Sequence, residues 1–246
     1  MLSSIGAVAD QPIVLPPIHT SLNVDNQPVA IVVSGSLAKL PAAPANDVFR
    51  LHIDADLGGL QDNVTAILRA ELNKDDRCGE RLSIQAAKLL PAPPSGTLTA
   101  SLHFEKWACI KAFHKNMAKR LAGGDGIAEV HLIPEVRDGT AVRLNAELGA
   151  IQADGSIGEM MQSPAFADAL REKIAKALDK VQLETAIPRA IRSTVRLESV
   201  GFAEGGGGRL FLRIQATVTV PSRDAKALLD RLVAPGPADR SAAPAR

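Results

Sequence analysis

Two cysteines placed symmetrically about a turn set a strong restraint on how this chain can fold. Cys78 and Cys109 are equidistant from a point between Pro93 and Pro94, inside the turn-rich residues 91–96. The runs on either side are strand-like, so a hairpin would bring the cysteines opposite each other, and we predict a disulfide between them. That bond would imply an oxidising compartment, either periplasmic or secreted. The alternative is a pair of buried free thiols in a cytosolic protein.

Composition narrows the class of protein. The chain has 246 residues, of which 46% are hydrophobic, so it is long and apolar enough to bury a core. Only 3% are aromatic and none is Tyr, so the core must consist of Ala, Val, Leu and Ile. A net charge of +1 argues against a nucleic-acid partner. No run reaches the roughly 18 apolar residues of a membrane span, and no full signal peptide is visible in the first ten residues.

Alternation with a period of two predicts most of the strands. It is clearest in residues 48–57, where Phe49, Leu51 and Ile53 point one way and Arg50 and His52 the other. The same pattern marks residues 28–37, 98–104, 142–148 and 210–220, and residues 127–136 and 191–202 are further predicted strands.

Helical spacing of apolar residues predicts four helices. They cover residues 60–72, a short basic stretch at 111–121 that ends at Gly123 and Gly124, residues 163–181, and a final short helix at residues 222–232. Ser163 followed by Pro164 is a typical helix N-terminus.

The order strand, strand, helix, strand, strand occurs twice along the chain. We therefore predict an α+β fold with duplicated ββαββ units, in which a long curved antiparallel sheet packs around amphipathic helices. The predicted parts are an extended N-terminal arm (1–27), a first repeat with the short basic helix (28–122), a second repeat (123–221), and a short helix with a disordered Ala/Pro tail (222–246).

This pattern resembles the TULIP superfamily, the tubular lipid-binding domains that include BPI-like and SMP-like proteins. The resemblance covers about residues 28–221 and is based on the amphipathic helices, the long alternating strands and the cysteine hairpin ending in Phe104-Glu105-Lys106-Trp107-Ala108-Cys109. It implies a lipid-binding groove between a helix and a twisted sheet. The candidate groove-lining residues are Leu68, Leu72, Phe104, Phe166, Leu170, Ile174 and Leu178.

A basic stretch with an aromatic residue is a candidate membrane contact. Lysines and an arginine near a tryptophan can dock on anionic headgroups. The residues concerned are Trp107, Lys111, Lys115, Lys119 and Arg120. The alternative is an ordinary solvated helix.

Other chemistries lack a supporting motif. His52, Asp54 and Asp56 share a predicted wet strand face, and His103 and His131 lie on similar faces, but their spacing matches no zinc site. The glycines at 205–208 precede a strand, which favours a hairpin turn over a phosphate-binding loop. We found neither G-x-S-x-G nor H-E-x-x-H. The sequence thus predicts no enzyme, no cofactor and no metal.

The functional prediction is non-catalytic binding or transport of a lipid or other apolar small molecule. An anionic membrane surface or an envelope protein is a further expected partner. The alternative is a structural or protein-interaction domain of the cell envelope, in which the same apolar faces form a closed core.

Overall fold

In the computed structural model, the chain is built mainly from antiparallel strands in two sheets. The structure describes residues 11–24, 27–41, 45–73, 78–112, 115–153, 158–159, 163, 166, 168, 170, 172 and 194–233. The strands are β1 (Ile13–Val24), β2 (Gln27–Leu40), β3 (Asn46–Asp56), β4 (Gly79–Ala92), β5 (Ser95–Ala112), β6 (Lys115–Arg137), β7 (Ala141–Ala153), β8 (Val195–Gly205) and β9 (Arg209–Pro221). The helices described over their full length are α1 (Gly58–Leu72) and α2 (Ser222–Val233).

Sheet A contains five strands in the order β1-β2-β3-β9-β8. Its central pair joins β3 to β9, from Asn46 opposite Pro221 to Asp56 opposite Phe211. The predicted alternation is present in both strands. On β9, for example, Leu212, Ile214 and Ala216 are buried while Arg213 and Gln215 are exposed. The dry side of sheet A therefore faces the interior.

Part of the predicted extended N-terminal arm is a strand of sheet A. Residues Ile13–Val24 form an edge strand paired with β2. The prolines at 16 and 17 interrupt the register between Leu15 and Ile18. An edge strand tolerates prolines because one side of its backbone has no ladder to maintain.

Sheet B contains four strands in the order β4-β5-β6-β7. Its β4–β5 hairpin confirms the prediction made from the cysteines. Cys78 and Cys109 form a disulfide with their Cα atoms 5.6 Å apart, inside the normal range. A bulge between Ile84 and Ala86 places Gly79 opposite Trp107, so the cysteines are one residue out of direct register.

The predicted helix at residues 111–121 is wrong. This stretch contains the end of β5 and the start of β6, with Lys111 opposite Asn116 and Ala112 opposite Lys115. Its Ala, Lys and Met residues favour a helix locally, but pairing along the long β5–β6 hairpin outweighs that propensity.

The two sheets meet at the turns of sheet B. The backbone N–H of Leu197 on β8 donates to Gly139 O at 2.7 Å, and the N–H of Phe202 donates to Pro94 O at 2.8 Å. Gly139 lies in the β6–β7 turn, where its φ is positive, as is that of Asp138. The edge of sheet A is therefore bonded to two turns of sheet B, the β4–β5 turn and the β6–β7 turn.

Strand pairing does not show the predicted duplication. In sheet A, the second strand of the first predicted repeat, β3, pairs with the last strand, β9. The last strand of the first predicted repeat, β5, corresponds to β9 but pairs with β6 in sheet B through a local hairpin. The equivalent strands of the two predicted units thus have different neighbours.

Helix α1 covers the free edge of β4 with a row of polar side chains spaced four residues apart. Each bonds to backbone groups of β4 that no neighbouring strand pairs. The row consists of Gln61, Thr65 and Arg69 in the helix and Asn73 at its C-terminal cap. Residues at this spacing lie on one face of a helix. The row satisfies edge groups that would otherwise be available for pairing with another chain.

Gln61 extends this row to sheet A. Its Nε2 donates to Leu89 O at 2.9 Å and to Gly208 O at 3.1 Å, while its Oε1 accepts from the Leu210 N–H at 2.8 Å. The apolar side of the same helix contributes Val64 and Leu72 to the core. Helix α1 therefore joins the edge of sheet B to the start of β9.

Replacing Thr65 by Val is expected to lower the free energy of unfolding by about 1–3 kcal/mol. The Thr65 hydroxyl donates to Ala87 O and accepts from the Ala87 N–H, both at 2.9 Å, and Val leaves both backbone groups without these partners. Urea unfolding followed by circular dichroism measures the loss. Thr65→Ser keeps the hydroxyl and serves as the matched control. Equal stability of the two variants would contradict a role for this row.

Two further helical stretches match the sequence prediction in part. The Phe166 N–H donates to Ser163 Oγ at 3.3 Å, which is the expected capping bond, and residues 166, 168, 170 and 172 are helical. Helix α2 begins at Ser222 as predicted, and its Ala225 is buried. Within the described part of the chain, no helix combines the length and the hydropathy needed to cross a membrane.

Candidate apolar binding site

The inner faces of the two sheets and the helices share one apolar interior. Buried side chains of β9, β5 and α1 belong to a single hydrophobic cluster, in which Leu210 and Phe104 are among the least exposed residues. A small second cluster joins Val29 on β2 to Ile67 on α1. Helix α1 is thus packed on one side against β2 and bonded on another side to β4.

The predicted groove-lining residues that the structure describes belong to this interior. Leu72, Phe104, Phe166 and Leu170 are buried in the main cluster, and Leu68 is half-buried against it. The rings of Phe104 and Phe166 meet edge to face with centroids 5.4 Å apart, which joins β5 to the capped helical stretch. Ile174 and Leu178 lie outside the described residues.

A stripe of apolar side chains on β7 was not among the sequence candidates. These residues continue the inner face of sheet B but remain only partly buried. We call them the β7 stripe: Leu144, Ala146, Leu148, Ile151 and Ala153. Their strand partners on β6 include the buried Leu132, Val130 and Ala128. Alternation in the sequence marked part of this strand, but not its position at the edge of a sheet.

A similar half-buried set lies on sheet A. Leu51, Ile53 and Ala55 of β3 and Val33 of β2 pack against the core without being fully covered. Both inner faces thus present accessible apolar surface beside a closed core. The strands that the structure describes do not close the two sheets into a barrel. These partly covered residues and the β7 stripe form the candidate apolar site.

The candidate membrane-contact residues lie on one hairpin. Trp107 is opposite Arg120, and Ala108 is opposite Lys119, at the far end of the β5–β6 ladder. Lys119 and Arg120 are exposed, and Trp107 is half-buried. The backbones of Lys111 and Lys115 belong to the two strands, but their side chains lie outside what the structure describes.

A carboxylate at the base of this hairpin collects several donors. Glu105 accepts a hydrogen bond from the Trp107 indole N–H at 3.0 Å, and its other oxygen lies 3.3 Å from Arg120 Nε. The Trp107 bond is the main cause that lowers the pKa of Glu105; His103 and Arg120 act in the same direction, and desolvation opposes them. His103, in turn, lies 2.7 Å from Asp125 and lowers the pKa of that carboxyl.

The polar residues considered for metal binding are engaged in ion pairs. Asp54 lies 2.9 Å from Arg213 Nε and 3.3 Å from His52, and Asp56 lies 3.2 Å from Arg209. His131 lies 3.4 Å from Glu129 on the same strand. Among the described residues, no group of three His, Cys, Asp or Glu side chains is arranged to hold a metal ion.

The chain has a weak structural likeness to a solved protein. No protein-family model matches the sequence, and no curated protein matches it. Among solved structures, the chain is similar to a lipopolysaccharide binding protein, with a TM-score of 0.38 and 10% sequence identity. The match covers 80% of this chain and 44% of the other, so the chain spans less than half the length of that protein. A likeness at this TM-score establishes neither a family nor a ligand for this chain.

Proposed function

We propose that this chain binds or transports a lipid or another apolar small molecule in the seam between its helices and its two sheets, without catalysing a reaction. The observation that carries the proposal is the β7 stripe. Its five side chains continue a buried apolar face, yet they remain partly accessible at the edge of an open sheet. An acyl chain lying along the stripe would remove this surface from water, which contributes about 25 cal/mol per Å².

Location and partners follow from the same proposal. We propose a periplasmic or secreted protein, because a disulfide between Cys78 and Cys109 is compatible with a place outside the cytoplasm. The proposed partners are the apolar ligand itself and the anionic membrane surface or envelope protein that supplies it. A TULIP-like ancestry with two ββαββ units is also part of the proposal, and the order β2-β3-α1-β4-β5 along the chain supports the first of these units.

Replacing Leu148 by Asp is expected to reduce ligand uptake about tenfold or more, because a carboxylate in the seam would lose its hydration when an acyl chain covers it. Native mass spectrometry of the wild-type protein from its own host should first show a stoichiometric apolar adduct. Uptake of a fluorescent fatty acid from solution then compares the variants.

Asn145→Asp is the matched control, because it introduces the same charge on the opposite face of the same strand. Ala146→Phe is a second test that fills the seam without adding charge, and it should also reduce uptake. Thermal unfolding of each variant establishes that it is folded. A wild-type protein that carries no adduct and takes up no fatty acid would overturn the proposal.

A closed structural core is the second candidate function, and one observation favours it. Phe104, at 1% exposure, and Phe166 fill the region where the groove was expected. In that case, the chain would be an interaction domain of the cell envelope. This alternative would be supported by a wild-type protein that carries no adduct and whose Leu148→Asp and Asn145→Asp variants do not differ in fatty-acid uptake.

A further inference from the structure

Positive charge is concentrated in one stretch of the chain. Residues 106–112 and 115–122, which we call the basic ribbon, hold five of the 28 Lys and Arg residues and none of the 27 Asp and Glu residues. Because the whole chain has a net charge of only +1, the remaining residues are net acidic. Glu105, at the border of the basic ribbon, pairs with Arg120 and offsets one of these charges. The four lysines still create a local positive field that the total charge conceals.

The fold extends this stretch beyond the rest of sheet B. Strand β4 begins at Gly79, opposite Trp107, and β7 ends at Ala153, opposite Gly126. Beyond Trp107, in the described part of the chain, β5 and β6 pair only with each other, down to Ala112 opposite Lys115. The disulfide at Cys109 ties the base of this two-stranded segment to Cys78.

Apolar side chains accompany the charge at the base of the basic ribbon. A register shift beside Trp107 leaves Leu121 without a direct strand partner, and Leu121 is 58% exposed. Trp107 is half-buried, with its indole N–H bonded to Glu105. Lysines beside an exposed leucine and a tryptophan suit the boundary between lipid headgroups and acyl chains.

We propose that the basic ribbon is the surface by which this protein docks on a membrane containing anionic lipids. This inference rests on the proposed function and names the partner from which the seam would receive its ligand. Charge complementarity favours an anionic membrane as the partner of the basic ribbon. The headgroups of anionic lipids attract lysines at the membrane surface, and each lysine adds to the binding free energy. The disulfide-bonded strands present the charges on a paired backbone instead of a loose loop.

The test uses sedimentation of the full chain, with its disulfide intact, together with vesicles of phosphatidylcholine alone or mixed with phosphatidylglycerol. The wild type is expected to bind only the mixed vesicles, and less strongly at high salt. Lys111→Gln/Lys115→Gln/Lys119→Gln should weaken this binding about fivefold per removed charge, or about 100-fold in total. Trp107 is the only tryptophan, so a blue shift of its emission on binding reports contact at the base of the basic ribbon.

Lys88→Gln/Arg143→Gln/Arg196→Gln is the matched control. It removes the same charge from exposed positions on β4, β7 and β8 and should keep most of the binding. The proposal would be overturned if both triple variants lost vesicle binding to the same extent. It would also be overturned if the wild type did not bind anionic vesicles, and that result would favour a protein partner. Fatty-acid uptake from solution needs no membrane and should be unchanged in the basic-ribbon variant. Failure of uptake with intact vesicle binding would therefore reject the proposed function alone.

Discussion

Replacing both Cys78 and Cys109 by Ser is expected to lower the free energy of unfolding by about 3.5 kcal/mol. The bond closes a loop with a sequence separation of 31 residues, so its loss lets the unfolded chain explore many more conformations. In the folded state it ties the start of β4 to β5, where the two-stranded end of the hairpin begins. Urea unfolding at neutral pH, followed by far-ultraviolet circular dichroism, measures the change.

Reduction of the wild-type protein provides the internal control for this experiment. A thiol-free reductant should bring the wild type to the stability of the double variant and should leave the variant itself unchanged. A difference below about 1 kcal/mol would mean that the unfolded chain keeps this hairpin together without the bond. In that case, the disulfide would contribute little to the fold.

The β4–β5 hairpin was predictable because its signals are local. The turn residues, the alternation on both sides and the symmetric cysteines all belong to one continuous stretch. Even here, the direct register was wrong by one residue. The bulge between Ile84 and Ala86 lies at a contact with the C-terminal cap of α1, where Asn73 accepts a hydrogen bond from the Ile84 N–H at 2.6 Å. Nothing in the hairpin sequence encodes that contact.

The stretch at 111–121 shows why local pattern failed elsewhere. Met117 and Leu121 have helical spacing, and Ala and Lys are good helix formers, so a short helix was a reasonable expectation. Its actual conformation is set by hydrogen bonds to β5 across the ladder. Backbone pairing with a distant neighbour cannot be read from the propensities of one segment.

The sequence predicted which residues of the candidate site lie on apolar faces. It did not predict which of these residues are buried and which remain accessible. Alternation identified the inner sides of β5 and β7 equally well. Phe104 is nevertheless buried under Phe166, whereas Leu148 stays half-buried because β7 is the last strand of its sheet. The order of strands decides this difference. That order includes the β3–β9 pair, whose partners are far apart in the sequence.

Replacing Phe104 by Ala is expected to lower the free energy of unfolding by about 3–5 kcal/mol, the range for a large aromatic residue in a core. Phe104 is 1% exposed, and its ring packs edge to face against Phe166, so truncation leaves a cavity and removes an aromatic contact. The double variant with Phe166→Ala should show a coupling of about 0.5–1.5 kcal/mol between the two rings. Thermal and urea unfolding of the four proteins measure both quantities.

Val14→Ala is the matched control, because this apolar side chain on β1 is 76% exposed and its truncation should change stability by less than about 0.5 kcal/mol. The same experiment shows whether Phe104 belongs to a permanent core or lines an open groove. If Phe104 forms part of the permanent core, adding fatty acid will leave the loss of stability unchanged. If Phe104 lines an open groove, the loss will be small and bound fatty acid will offset it. The latter result would move the ligand site from the β7 stripe to the Phe104–Phe166 contact.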